Sequence, residues 1–354
     1  MAVVTTRKPA PNRRRARRND PEWVRWSDEE ILDLRLCDLG LMLRGTWIEP
    51  LVEKLHAEMT RRGIRLKPHA WLSNEWFSPD SVPGIAVPFY LAHPRLMQLE
   101  RRQMFQVEGG TKAWCMRILR HEAGHAFDTA YRLRRKASWQ RVFGRASRTY
   151  PQTYRPKAES RNHVLHLDWW YAQSHPCEDF AETFAVWLKP GSRWRTAYEG
   201  WPVLRKLEYV HGVVEDLAGV PPPVRSRAHV EPLRGLKQTL RKHYRVRRDR
   251  YGVDLPDFFD RQLHKIFAPG KAETQETAAA FLRRSGKDLC RRVVSVTGTH
   301  PYTVDQFLAE MIARCRKLKL RRSRSERHVK LEVAFLLAAQ VLGYVHGGGH
   351  HVAL

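Results

Sequence analysis

The sequence predicts an α+β fold: a body of helices carrying a small sheet, followed by a mostly helical and strongly basic C-terminal region. Three observations lead there. Apolar residues recur at helical spacing behind recognisable caps, as in Trp114, Ile118, Leu119 and Phe127 after Thr111. Only two stretches, 64–72 and 84–91, read as strands. After Gly219-Val220-Pro221-Pro222-Pro223 the composition shifts to dense Lys and Arg. The expected organisation is a disordered basic arm over 1–22, a mixed domain over 23–222 and a basic helical region over 223–354. A chain of 354 residues with 42% hydrophobic residues can bury a core in each of the last two.

In chain order, the arm carries Arg7, Lys8, Arg13, Arg14, Arg15, Arg17 and Arg18 with no apolar run behind them, so it reads neither as a signal peptide nor as an export signal. Ser27-Asp28-Glu29-Glu30 has capping-box form and opens a helix through Ile31, Leu32, Leu36 and Leu39 to Gly40. A second helix is expected over 49–61. Ile64 to Leu72 alternates as a strand. The stretch 84–91 gives another, which Pro88 confines to a sheet edge whose free backbone groups could add a substrate peptide as one more strand. A helix over 95–104 precedes the chain break at Gly109-Gly110, and the helix capped by Thr111 runs to about Tyr131, with Arg117 and Arg120 on its polar face. Residues 144–166, rich in Tyr, Pro and Arg, form a long excursion suited to a lid or cleft wall. A helix follows over 203–217. The apolar run 333–345 is too short to cross a bilayer and reads as a core helix, and the tail 346–351 is a flexible His-rich end.

Net charge of +26 with pI near 10.4 favours anionic partners such as nucleic acid or another polyanion, although solubility alone accounts for it equally well. The five cysteines are scattered and lack C-x-x-C spacing, which excludes a zinc ribbon and a disulfide framework and points to a reducing, cytoplasmic setting. No phosphate-binding loop or dinucleotide fingerprint is present.

The chemistry concentrates in Arg120-His121-Glu122-Ala123-Gly124-His125. Residues four apart on a helix share a face, roughly 6 Å apart along the axis, so His121 and His125 present two imidazoles to one ion. Glu122, roughly 100° round the helix from His121, is placed to take a proton from water beside that ion. The competing reading is a pair of core histidines. Two histidines leave a catalytic zinc one protein ligand short. In Pro176–Leu188, Pro176 fits a first helical turn, Phe180, Ala181, Phe184, Ala185, Trp187 and Leu188 form an apolar face, and Glu178 and Glu182 stand four apart. They suit a ligand and an acceptor for a histidine N–H; a solvated acidic edge is the alternative. His163, His166 and His175 lack a helical partner at metal spacing and rank below Glu178.

Together, His121-Glu122-Ala123-Gly124-His125-Ala126-Phe127-Asp128 and Glu178-Asp179-Phe180-Ala181-Glu182-Thr183-Phe184 resemble the gluzincin metallopeptidases, close to the anthrax lethal factor type of catalytic domain. The chain is more similar still to a bacterial family of zinc-binding metallopeptidases, from about Asp28 to Tyr209. The resemblance implies a zincin-like domain with Zn²⁺ held by His121, His125 and Glu178, Glu122 as general base, and Tyr171 facing the metal seven residues before the glutamate ligand. It also implies Glu182 as the acid behind a ligand, with Asp128 closing the first motif in a similar supporting place. The 53-position gap from His125 to Glu178 is longer than in the thermolysin-like branch.

Three functions follow as expectations. The first is a zinc peptidase acting on peptide or protein. The second is a DNA-associated basic metalloprotease, supported by charge. The third is a non-catalytic module in which metal only stabilises the fold while the basic surface binds nucleic acid or protein.

Overall fold

The computed structural model describes residues 20–151, 154, 156–157, 160–251, 260–269 and 276–345. Most of the basic arm and the His-rich tail lie outside the described residues. Where the expected arm meets the mixed domain, Glu22–Arg25 forms a single 3-10 turn that buries Trp23, whose indole N–H donates to the Leu39 carbonyl at 3.1 Å.

The capping box at Ser27 is formed in both directions, Ser27 N to Glu30 Oε2 at 2.7 Å and Glu30 N to Ser27 Oγ at 3.3 Å. The helix it opens, α1 (Asp28–Leu32), is shorter than expected, and Leu36–Leu39 is a separate 3-10 turn ending at left-handed Gly40. The cause lies 200 residues downstream in the chain. The backbone at 34–37 pairs with the returning segment 236–240, Leu36 N donating to Gln238 O at 2.9 Å and Cys37 N to Leu236 O at 3.0 Å, so helical bonds are exchanged for ladder bonds there.

Helix α2 (Glu49–Arg61) leads into 64–68, whose alternating burial matches a strand although only β1 (His69–Ser73) enters a ladder. β1 pairs in parallel with β2 (Gly84–Pro88), His69 opposite Gly84 and Ser73 opposite Pro88. The expected edge position of β2 is corrected. All five of its residues are buried, and the chain between the strands folds back so that Phe77 bridges Ala86 on the far side, Ala86 N donating to Phe77 O at 2.8 Å. Pro88 is tolerated because it stands at the last register position, where a missing donor costs least. The segment around Phe77, not β2, therefore borders open space.

Helix α3 (Pro94–Met104), α4 (Lys112–Tyr131), α5 (Ala137–Phe143), α6 (Pro176–Leu188), α7 (Trp194–Ala197) and α8 (Leu204–Asp216) complete the mixed body. Nearly every residue of α4 from Cys115 onward is buried. Arg120 is not on a solvated face. It is 7% exposed and forms a bidentate pair with Glu58 of α2 at 2.8 and 2.9 Å. One hydrophobic core runs through all these elements and reaches Leu233, Leu240 and Tyr244, so it does not end at the expected boundary of 222. The polyproline stretch continues as a strap over β1, with Trp71 Nε1 donating to Val230 O at 2.9 Å and Ser73 Oγ to Glu231 O at 2.7 Å.

Helix α9 (Leu240–Tyr251) follows the strap. A second core is built from α10 (Asp260–Ile266), α11 (Ala278–Thr297), α12 (Pro301–Lys317) and α13 (Glu326–Tyr344), with a two-residue ladder between β3 (Ala268–Pro269) and β4 (Leu320–Arg321). Val333, Leu337 and Val341 of α13 are core residues, and no helix among the described residues is long and apolar enough to cross a membrane. The chain is thus mostly helical, with its small parallel ladder packed against α4.

Candidate metal centre

Two helices make the site, and local sequence fixes where each begins. Thr111 caps α4 by accepting from Trp114 N at 3.2 Å. Pro176 occupies the first turn of α6, where His175 caps by accepting from Cys177 N at 3.2 Å. The helices approach so closely that a Cβ on Gly124 would stand 2.7 Å from the Ala181 Cα. Glu178, one turn before Ala181, is thereby carried up to the two histidines.

His121 Nε2, His125 Nε2 and Glu178 Oε2 form a near-equilateral triangle with edges of 3.1, 3.0 and 3.1 Å. Among the described residues this trio is the cluster of His, Cys, Asp and Glu whose donor atoms converge closely enough to hold a metal. Ligands 2.0–2.1 Å from a tetrahedral zinc stand roughly 3.3–3.4 Å apart, so the triangle needs only a slight opening to accept the ion. Two imidazole nitrogens and a carboxylate oxygen are the donor set that zinc takes, and one side of the triangle faces a cavity of about 1070 Å³. The residues fit the metal.

Behind the donors, Glu182 Oε1 lies 2.7 Å from His121 Nδ1 while its Oε2 accepts from Leu167 N at 2.7 Å. Tyr150 Oη donates to Glu178 Oε1 at 3.0 Å, leaving Oε2 turned to the histidines, and the Tyr150 ring stacks on His175 with centroids 3.7 Å apart. Tyr150 was not singled out in the sequence; its only signal was its place in the Tyr- and Pro-rich excursion, where it and Tyr154 form part of the cavity wall.

Glu122 lines the same cavity, outside the triangle, and its Oε2 is buried without a hydrogen-bond partner. Burial holds its carboxyl above the usual range, against the opposing pull of the two histidines. The Tyr171 ring centroid lies 5.6 Å from that of His121, and burial, reinforced by Glu178 and Glu122, raises its hydroxyl well above the ordinary tyrosine value. It therefore stays a donor at neutral pH.

Asp128, expected in a supporting place, feels the charge of His125 but accepts its hydrogen bonds from Arg134. The chain reverses at left-handed Arg132, and Arg134 folds back so that Asp128 accepts from its backbone N at 2.7 Å and its Nε at 2.5 Å. The remaining histidines are engaged elsewhere: His166 Nε2 with Arg117 O at 3.0 Å, His175 Nε2 with Arg148 O at 2.8 Å, and His163 Nδ1 with Ser160 Oγ at 3.4 Å.

Residues 115–213 match the family described as "Putative zinc-binding metallo-peptidase". The matched stretch begins three residues after the start of α4 and ends within α8, so it contains the histidine-bearing part of α4 and all of α6, and is shorter than the 28–209 likeness expected from sequence. It supports a peptidase family and, with it, peptide or protein substrates; the nucleic-acid partner expected from charge gains no support. No curated protein and no solved structure matches the chain.

Replacing Glu182 by Gln weakens the hold on the His121 ring without touching a donor atom. Zinc affinity is expected to fall roughly 10–100-fold, measured by competition against a chromogenic chelator. An unchanged affinity would show that Glu182 only bridges helix and loop.

Proposed function

We propose that this chain is a zinc-dependent peptidase of the gluzincin kind, with His121, His125 and Glu178 as the metal ligands and Glu122 as the general base. One observation carries the reading: three donor atoms from two helices 53 positions apart meet at 3.0–3.1 Å on the wall of a cavity large enough for a peptide. Bound zinc would supply Lewis-acid activation of a water molecule and of the scissile carbonyl.

The protein's own groups account for the rest. Glu182 keeps the His121 proton on Nδ1, so that Nε2 offers its lone pair to the cavity. Tyr150 occupies Glu178 Oε1 and so selects Oε2 as the donor. Glu122, with one oxygen unpartnered, takes the proton of the attacking water and returns it to the departing amine. Tyr171, protonated by virtue of its burial, donates to the carbonyl oxygen as negative charge builds on it.

Metal analysis of the wild type and of Glu178→Ala, beside cleavage of a mixed peptide library, tests the reading. One equivalent of zinc lost on Glu178→Ala, with cleavage lost in step, is the expected result. Zinc bound by this trio without any cleavage would favour a structural metal. Tyr171→Phe is expected to keep its zinc and lose about 100-fold in turnover; a wild-type rate would remove Tyr171 from the mechanism.

A further inference from the structure

Away from the metal triangle, the cavity holds a carboxylate that the mechanism does not use. Glu108 lines it and, among the described residues, has charges acting on it but no hydrogen-bond partner. Its neighbours are engaged. Asp168 faces Arg117 at 3.5 Å, Asp80 pairs with Arg134, Glu75 with Arg250 at 3.2 Å, and Glu100, behind the wall, with Arg247 at 2.6 Å. Arg247, which also lines the cavity, pulls on Glu108 at longer range but is hydrogen-bonded to Glu100, so once a divalent ion is set against Glu178 and Glu122, Glu108 is the acidic group of the described lining without a hydrogen-bonded counter-charge. This local excess is opposite in sign to the chain's net charge of +26.

Backbone geometry holds it there. Val107 O accepts from Gly110 N at 2.9 Å, with Gly109 at φ +70°, which is the pattern of a type II turn carrying Glu108 at its second position. Both glycines are required. A Cβ on Gly109 would stand 3.1 Å from the Trp76 ring, and one on Gly110 2.8 Å from Val107 O. The turn runs directly into the Thr111 cap of α4, so Glu108 stands at a fixed place beside the start of the helix that carries the histidines. Trp76, Tyr90, Phe105 and Trp114 supply aromatic walls to the same cavity. A carboxylate among aromatic faces suits a cationic head on an aliphatic stem.

From this the geometry points to Glu108 as the anchor of a cation-binding subsite, taking an ammonium or guanidinium group of the peptide substrate. The inference rests on the peptidase reading for its substrate. Burial pushes the Glu108 carboxyl up to about 7, so the group is costly to charge in the empty cavity and gains most from a cation.

The test compares zinc-loaded wild type, Glu108→Gln and Glu108→Asp on fluorogenic peptides that differ at one position, Lys, Arg or norleucine, each with a free or an acetylated N-terminus. The reading is the ratio of kcat/KM between cationic and neutral peptides, which cancels any general loss of activity. Wild type is expected to favour the cation roughly 10-fold or more, the worth of one charge-assisted hydrogen bond. Glu108→Gln should bring the ratio near one, with Glu108→Asp between. A preference that follows Lys and Arg places a side chain in the subsite; one abolished by acetylation places the N-terminal amine there. No preference in wild type, or one that survives Glu108→Gln, overturns the proposal. Should wild type cleave nothing, the peptidase reading fails first. Fluorescence anisotropy of the labelled peptides on Glu122→Gln, with and without Glu108→Gln, then decides the subsite alone. A cation preference lost with Glu108 upholds it, and equal binding of cationic and neutral peptides overturns it.

Discussion

Glu122→Gln should retain one equivalent of zinc, fold as the wild type does, and lose roughly 10²–10⁴-fold in kcat, the range that a positioned general base contributes. The geometry separates these outcomes. Glu122 lies outside the triangle formed by His121, His125 and Glu178, so its replacement removes no donor to the metal. The amide has the carboxylate's shape, and the buried Oε2 has no hydrogen-bond partner to lose. What the amide cannot do is take a proton from water and give it to an amine. Metal stoichiometry, thermal melting and kcat on a cleaved peptide read the three effects separately. Turnover at the wild-type rate would show that the proton goes elsewhere. Loss of zinc would show that Glu122 belongs among the ligands.

Much of the site was legible because it is local. The i, i+4 spacing of His121 and His125, the Thr111 cap and Pro176 in a first turn are short-range facts that a helix expresses wherever it lies. The existence of the long helices was equally readable from apolar periodicity. What escaped depends on chain brought in from far away. Arg120 looked like a surface charge because its partner, Glu58, lies 62 positions upstream. β2 looked like an edge because nothing in its own residues shows Phe77 folding back across Ala86. The first helix stops short of its apolar pattern because the backbone at 34–37 pairs with residues 236–240. The hydrogen bonds of Asp128 are not legible from its place beside the motif, because the reversal at Arg132 brings Arg134 to it. Tyr150 carries no periodic signal, since its contact with Glu178 follows from the path of a loop and a ring stacked on His175. In each case the missing information is a partner set by tertiary packing, far away in the chain or on a loop.

Gly124→Val should both destabilise the fold and disable the metal site, although residue 124 is not a ligand. A glycine inside a helix ordinarily costs about 1 kcal/mol relative to alanine, so on propensity alone a larger residue would help. Packing decides the opposite sign. A Cβ at 124 would stand 2.7 Å from the Ala181 Cα and 3.0 Å from its carbonyl oxygen, and backbone cannot swing aside as the end of a flexible side chain can. Valine adds two methyl groups to that clash and loses rotamer freedom against the preceding turn. Overpacking of this kind costs about 3 kcal/mol, equivalent to a melting temperature lower by roughly 6–12 °C in a domain of this size. The helices can relieve the contact only by separating, and Glu178 lies one turn from Ala181 on the helix that must move. Its Oε2 then withdraws from His121 and His125, and zinc affinity should fall by more than the roughly 10–100-fold attached to losing a supporting hydrogen bond. Gly124→Ala should show the same two effects in smaller measure. Differential scanning calorimetry and chelator competition measure them on the same samples. A valine variant that melts at the wild-type temperature and binds zinc as tightly would mean that the approach of α4 to α6 is not what brings Glu178 to the histidines.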